Sequence, residues 1–265
     1  MRAGTERGAS SGALAGRRIV VTRPAGQADR LVNLIREQDG ESLVFPVLEI
    51  RDVEDVAPLL ALVDRLDEFD LAVFISPNAV NKAMNLIVAR RAWPASVRAA
   101  TIGRESEKQL RRYGVGDVIA PPGRSDSEAL LALAELQSMT GKRVVVFRGD
   151  GGRELLAETL VARGAKVEYA ECYRRVRPCA DIGPLIAAWA RNEVDAVVVT
   201  SSEGLGNLIE MLGEAGAAYL RGTPVVVPHP RIVENARARG LERIVLTNPG
   251  DKGIAAGLAA FFATL

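Results

Sequence analysis

A segment that begins at Gly16 returns 125 residues further on, at Gly141. Gly16-Arg17-Arg18 and the apolar run Ile19 to Val21 are matched by Gly141-Lys142-Arg143 and the run Val144 to Phe147. Each copy continues with an Arg at the strand end (Arg23, Arg148), a Gly-containing turn, a helical stretch, a glycine and a second extended run. Asp70 to Ser76 is matched by Asp195 to Ser201 at the same offset, and Gly114 to Ala120 by Gly240 to Leu246 at an offset of 126. A solenoid repeats every 20 to 50 residues or so. This longer period therefore reads as two domains of one design, each built on β-α-β units.

Strand and helix signals alternate along the rest of the chain. Arg17 to Val21, Leu71 to Ile75, Arg143 to Phe147 and Ala196 to Thr200 are short apolar runs of the kind buried on both faces of a parallel sheet. Gln27 to Gln38 keeps helical spacing and closes at Gly40. Asn78 to Arg90 and Leu205 to Leu212 also read as helices, as does a stretch from Ser125 to about Leu136. Leu43 to Val53 and Lys166 to Val176 are extended, and Pro46 makes the first an edge strand or a linker. The alternation predicts an α/β fold with parallel sheets and helices on both faces. Ligands of such sheets bind beyond the carboxyl ends of the strands.

Composition removes several classes. The 265 residues carry a formal net charge of +1, with no basic excess to hold a nucleic acid. No apolar run approaches the roughly 20 residues of a membrane span. The first 15 residues or so are rich in Gly, Ser and Ala and lack an apolar signal core, so residues 1–15 are expected to be a disordered leader. The two cysteines, Cys172 and Cys179, have no CxxC spacing and are expected to be free thiols in a reducing, cytoplasmic setting.

Motif tests are mostly negative. Gly149, Gly151 and Gly152 follow a strand, but Glu154 stands where a dinucleotide fingerprint needs glycine, and no phosphate loop is present. The single histidine, His229, has no cluster of metal-ligating neighbours in the sequence. No nucleophile elbow surrounds Ser76 or Ser201, and neither position carries the acidic residue of a receiver domain. What stands at the strand ends is a set of Arg, Ser, Thr, Asn and Gly residues, suited to holding anions and donating hydrogen bonds.

Those residues resemble a known family. Val20-Val21-Thr22-Arg23-Pro24, Phe45-Pro46, Phe74 to Val80, Ile102-Gly103, Ser127 to Leu131, Arg148-Gly149 with Gly152-Arg153, and Tyr173-Arg174 stand in the order and spacing of uroporphyrinogen-III synthases. The match runs from about Gly16 to the C-terminus. Ser106 stands where the family often has Thr, and Arg104 and Glu105 bring charge to a loop that is usually small.

The resemblance implies two flavodoxin-like parallel-sheet domains joined by a two-stranded linker, internally duplicated and interleaved in the chain. Domain 1 would comprise residues 16–42 and 177–265, domain 2 residues 54–165, and the linker strands residues 43–53 and 166–176, with the ligand cleft between the domains. It implies a cofactor-independent, metal-free cyclising lyase, monomeric and cytoplasmic. The substrate would be hydroxymethylbilane, a linear tetrapyrrole with eight carboxylates, received from the upstream bilane-forming enzyme by transient hand-over. Its hydroxymethyl group leaves as water, the terminal ring inverts through a spiro intermediate and the macrocycle closes. Positioning and electrostatics carry most of such a reaction.

Tyr173 is the candidate proton donor, since a phenol is protonated at neutral pH. Arg23, Arg148, Arg153 and Arg174 are candidates to meet carboxylates, with backbone amides near Asn78, Gly103 and Ser201. Thr22, Ser76, Ser106, Thr200 and Ser201 would bind substrate or cap helices, and Pro77 and Gly149 complete the set. The rival readings are a two-domain binding module that holds a tetrapyrrole or another polyanion without converting it, and a nucleotide-dependent transferase, for which the sequence offers no phosphate loop.

Overall fold

The apolar runs at the start of each repeat become interior strands because both of their faces are covered. In the computed structural model, which describes residues 12–124, 126–152 and 154–264, side chains of one strand alternate between two cores. Val20 enters one cluster while Ile19 and Val21 enter another. Ala72 and Phe74 likewise separate from Leu71 and Val73. This period of two on a fully buried strand is what makes the runs continuously apolar.

In chain order the elements are β1 (Arg18–Val21), α1 (Asp29–Arg36), β2 (Glu41–Val44), β3 (Glu49–Arg51), α2 (Ala57–Asp64), β4 (Leu71–Phe74), α3 (Pro77–Arg90), β5 (Arg98–Thr101), α4 (Arg104–Arg112), β6 (Val118–Ile119) and α5 (Ser127–Leu131). They continue with β7 (Arg143–Gly149), α6 (Leu155–Ala162), β8 (Lys166–Val176), α7 (Gly183–Ala190), β9 (Ala196–Val198), α8 (Ser202–Gly222), β10 (Val225–Val227), α9 (Pro230–Ala238), β11 (Ile244–Leu246) and α10 (Gly250–Phe262).

The contacts divide the chain into two units, one formed by residues up to Glu49 and from Val176 onward, the other by Ile50–Arg175. The first unit holds a sheet in the order β11-β10-β9-β1-β2, with parallel pairings throughout. The second holds a sheet in the order β3-β8-β7-β4-β5-β6, parallel at β7–β8, β7–β4, β4–β5 and β5–β6. The fold is thus α/β with two sheets dominated by parallel pairings, as the alternation of signals required. At the centre of the second unit, Phe74 of β4 and Phe147 of β7 stack with centroids 4.7 Å apart.

Four sequence expectations need adjusting. Residues 1–11 of the expected leader lie outside the described residues, as do Ser125 and Arg153. Residues 12–15 of that leader are anchored by Leu14, which is fully buried and whose N–H donates to the Gln38 carbonyl at 2.9 Å. The extended stretch Leu43 to Val53 is two strands, with Pro46 between β2 and β3 because proline has no N–H for a ladder.

The helix expected to reach Leu136 ends at Leu131, and a 3₁₀ turn follows over Ala134–Leu136. Leu133 is extended there, and side chains take over the freed carbonyls. Gln137 Nε2 donates to the carbonyls of Leu131 and Leu133, and Arg163 Nη1 to those of Leu131 and Leu136. Conversely, the helix expected to end at Leu212 resumes after Gly213, whose φ of 59° breaks it, and runs to Gly222. Among the described residues no helix is long and apolar enough to cross a membrane.

Candidate active site

In the second unit, the carboxyl ends of β4, β7 and β8 bring a small set of polar groups together. Ser76 caps α3: its Oγ accepts the N–H of Ala79 at 3.0 Å, and Pro77 occupies the first turn, where its missing N–H costs nothing. The same Oγ lies 3.0 Å from the hydroxyl of Tyr173 on β8. Tyr173 is only 4% exposed. Its place follows from an irregularity in the ladder: Arg148 pairs with Glu171, but the next residue, Gly149, pairs with Tyr173. The ring then lies so close that a Cβ on Gly149 would stand 2.6 Å from its Cε2. Only glycine fits opposite this tyrosine.

Arg148, on β7, is 3% exposed. Its Nε donates to the Gly151 carbonyl at 3.1 Å and its Nη1 to Glu154 at 3.0 Å, while its guanidinium lies 4.5 Å from the centre of the Tyr169 ring. Glu154, the residue that breaks the dinucleotide pattern, also accepts the Tyr169 hydroxyl. Hydrogen bonds from Tyr169 and then Arg148 hold the Glu154 carboxyl below its usual range. Burial, and next the Glu154 carboxylate, push the Tyr169 phenol up to about 12.

Tyr173 and Arg148 line a cavity of about 180 Å³ together with Ile75, Ile102, Leu156 and Arg175. Arg174 is not among its walls. Alternation along β8 turns Arg174 to the opposite face, where it pairs with Glu54 and lines a larger, acidic hollow with Asp55, Asp150 and Glu171. Arg175, two residues from Tyr173, lines the cavity instead. The signal was present in the sequence, since residues i and i+2 of a strand share a face. Gly103 is the N-cap of α4, Ser106 is buried in its first turn, and Asn78 lies in the first turn of α3. Arg153 lies outside the described residues.

In the first unit the strand-end residues are mostly engaged with their own scaffold. Thr22 is 3% exposed, and its hydroxyl donates to the Val198 carbonyl at 2.8 Å. Arg23 pairs with Asp251 at the start of α10. Ser201 caps α8, accepting the Gly204 N–H at 2.9 Å, and Thr200 stands half-buried just before it. Among the described residues no group of three or more His, Cys, Asp or Glu side chains is arranged to hold a metal ion.

Comparisons with known proteins bear on the family and the fold. The sequence profile of a family described as uroporphyrinogen-III synthase HemD matches residues 29–256. The chain is 33% identical over 235 residues to the uroporphyrinogen-III synthase of Escherichia coli K12, covering 88% of this chain and 96% of that one. It is 34% identical over 235 residues to the synthase of Salmonella typhimurium LT2, with the same coverage of 88% and 96%. Two solved structures share the fold. A mutant uroporphyrinogen III synthase of Thermus thermophilus has a TM-score of 0.63 at 19% identity, covering 92% of this chain and 97% of that one. The Helicobacter pylori 26695 enzyme has a TM-score of 0.58 at 13% identity, covering 94% of this chain and 100% of its own. On the profile match and the identity to the enterobacterial synthases, the chain belongs to the uroporphyrinogen-III synthase family.

Proposed function

We propose that the chain closes hydroxymethylbilane to uroporphyrinogen III with Tyr173 as proton donor and without a cofactor. Membership of the family makes it a cyclising lyase. The observation that carries the residue assignment is the Tyr173–Ser76 hydroxyl pair, 3.0 Å apart, with Tyr173 lining a cavity that Arg148 also lines.

The phenol O–H passes its proton to the hydroxymethyl oxygen as the C–O bond breaks. The bonding pair leaves with water, and the electron pair of the pyrrole nitrogen stabilises the resulting methylene cation. The far terminal ring attacks through its substituted α-carbon, giving a spiro intermediate that rearranges with the ring inverted. The proton lost at ring closure returns to Tyr173, so the balance is bilane to macrocycle plus water.

The general-acid step is worth about 10² to 10⁴ in rate, and the rest falls to positioning. Carboxylates of the substrate meet Arg148 and the backbone N–H groups opening α3 and α4 in the second unit. Thr22 and Arg23 in the first unit hold the Val198 carbonyl and the Asp251 carboxylate of their own scaffold.

The test is a discontinuous assay: generate hydroxymethylbilane, add the protein, oxidise the products and separate porphyrin isomers I and III by chromatography. Predominant isomer III is expected. Isomer I alone, from folded protein, would leave only a non-catalytic binding module.

A further inference from the structure

We propose that the cavity beside Tyr173 is the subsite for the hydroxymethyl-bearing terminal pyrrole, with one carboxylate arm held between the guanidinium groups of Arg148 and Arg175; this rests on the synthase reading above.

Size is the first argument. A water takes about 30 Å³ of liquid volume, so the cavity of about 180 Å³ holds roughly six waters' worth of ligand. That suits one pyrrole ring with part of its substituents and excludes a tetrapyrrole. Its walls divide by chemistry: Ile75, Ile102 and Leu156 offer apolar contact to a ring, while Arg148 and Arg175 offer positive charge.

The guanidinium of Arg148 is the second argument. Its Nε and Nη1 are held by Gly151 and Glu154, but Nη2 is buried and has no hydrogen-bond partner among the described residues. Buried guanidinium donors are normally satisfied, because an unmade hydrogen bond in a low dielectric is costly. A ligand oxygen removes that cost.

The third argument is Gly152. Its φ of +115° suits glycine, and a Cβ built there would stand 3.1 Å from Arg148 Nη2 and 3.7 Å from Arg175 Nη2. Two guanidinium groups thus converge on a notch that carries no side chain. Planar forks at such a notch match a carboxylate, whose two oxygens each accept a charge-assisted hydrogen bond. Because Tyr173 shares the cavity, a ring anchored by its acid arm presents its exocyclic carbon to the phenol.

The test is a titration of the full chain, isotopically labelled, with porphobilinogen, a single pyrrole that bears two acid arms and an aminomethyl group in place of the hydroxymethyl. Saturable NMR shifts are expected at the Gly151 and Gly152 amides and the Arg148 guanidinium. The dimethyl ester of the same pyrrole should bind about tenfold or more weakly, the loss expected when a charge-assisted hydrogen bond is removed. Arg148→Gln should weaken the acid by a similar factor. Ala157→Leu, which fills the cavity from α6 and leaves both arginines in place, should do the same. No saturable shift in the wild type, an ester that binds as well as the acid, or a folded A157L protein with full affinity would each overturn the subsite. Isomer III formation without porphobilinogen binding overturns the subsite and leaves the synthase reading standing. Binding without isomer III keeps the acidic-pyrrole pocket and removes the reading on which its catalytic place rests.

Discussion

The hydroxyl of Tyr173 lies 3.0 Å from Oγ of Ser76, and that Oγ already accepts the N–H of Ala79. Ser76 therefore has its own proton to give. With Ser76 as donor, the phenol proton of Tyr173 is free for substrate, and the phenolate left after transfer is stabilised by the same serine. Tyr173→Phe should lower kcat for isomer III by about 10² to 10⁴ with a smaller change in KM. Ser76→Ala should lower kcat by about tenfold, the scale of one hydrogen bond to a charged oxygen. It should also lose a helix cap worth about 1 kcal/mol, seen as a fall in the unfolding midpoint. Equal kcat in Y173F and the wild type would remove Tyr173 from the mechanism.

Gly149 tests the same geometry without touching a polar group. A Cβ there would stand 2.6 Å from Cε2 and 2.7 Å from Cζ of Tyr173. Either the ring or the strand must give way, and overpacking of this kind costs about 1 to 3 kcal/mol. Gly149→Ala should therefore lower both thermal stability and kcat, with the kcat loss approaching that of Y173F if the ring moves. A folded G149A protein with normal turnover would show that the position of Tyr173 is not critical.

How far the chain could be read in advance depends on the range of each interaction. Helix caps are local, so Ser76 and Ser201 were legible as such, and both accept an N–H three residues on. Thr22 was not: its hydroxyl donates to Val198, a residue 176 positions away that becomes its neighbour only through the β1–β9 pairing. Arg23 and Asp251, 228 positions apart, meet in the same non-local way. Arg175, by contrast, shares the face of Tyr173 through strand alternation alone, a local relation that the sequence carries.

The repeated sequence also hid a pairing. In the first unit the Asp195 carboxylate accepts the backbone N–H of Arg18 and the side chain of Arg17, and in the second Asp70 accepts the N–H of Arg143 and the side chain of Lys142. The basic pairs and the aspartates were visible as recurrences. Which aspartate meets which pair is decided by sheet order: β9 beside β1, and β4 beside β7.

That contact sets a pH dependence in the second unit. The Lys142 ammonium, and then the Arg143 N–H, hold the Asp70 carboxyl below its ordinary range. A carboxyl whose folded value is depressed contributes stability that is complete above its unfolded value, near 3.9, and is lost as pH falls through the lower folded value. Asp70→Asn should therefore destabilise at neutral pH and flatten the loss of stability below about pH 4. Glu168, depressed chiefly by Arg65, leaves a residual slope in that window. Urea midpoints measured from pH 2 to pH 7 for both proteins check this, and parallel curves would show that Asp70 does not titrate as assigned.

The two cysteines should differ sharply in reactivity. Cys179 is exposed, whereas Cys172 is buried on β8 with its thiol near the Ala170 carbonyl. Burial pushes the Cys172 thiol up to about 12. The thiolate is the nucleophile, so Cys172 is doubly protected at pH 8, by burial and by its protonated form. Treating the native protein with a chromogenic disulfide reagent should release one equivalent rapidly and a second only after denaturation. Cys179→Ser should abolish the fast equivalent and leave isomer III formation intact, because Cys179 is exposed and is not among the residues assigned to the site. Two fast equivalents from native protein would mean that β8 opens readily at Cys172, next to the tyrosine assigned as the acid, and would count against a rigidly held donor.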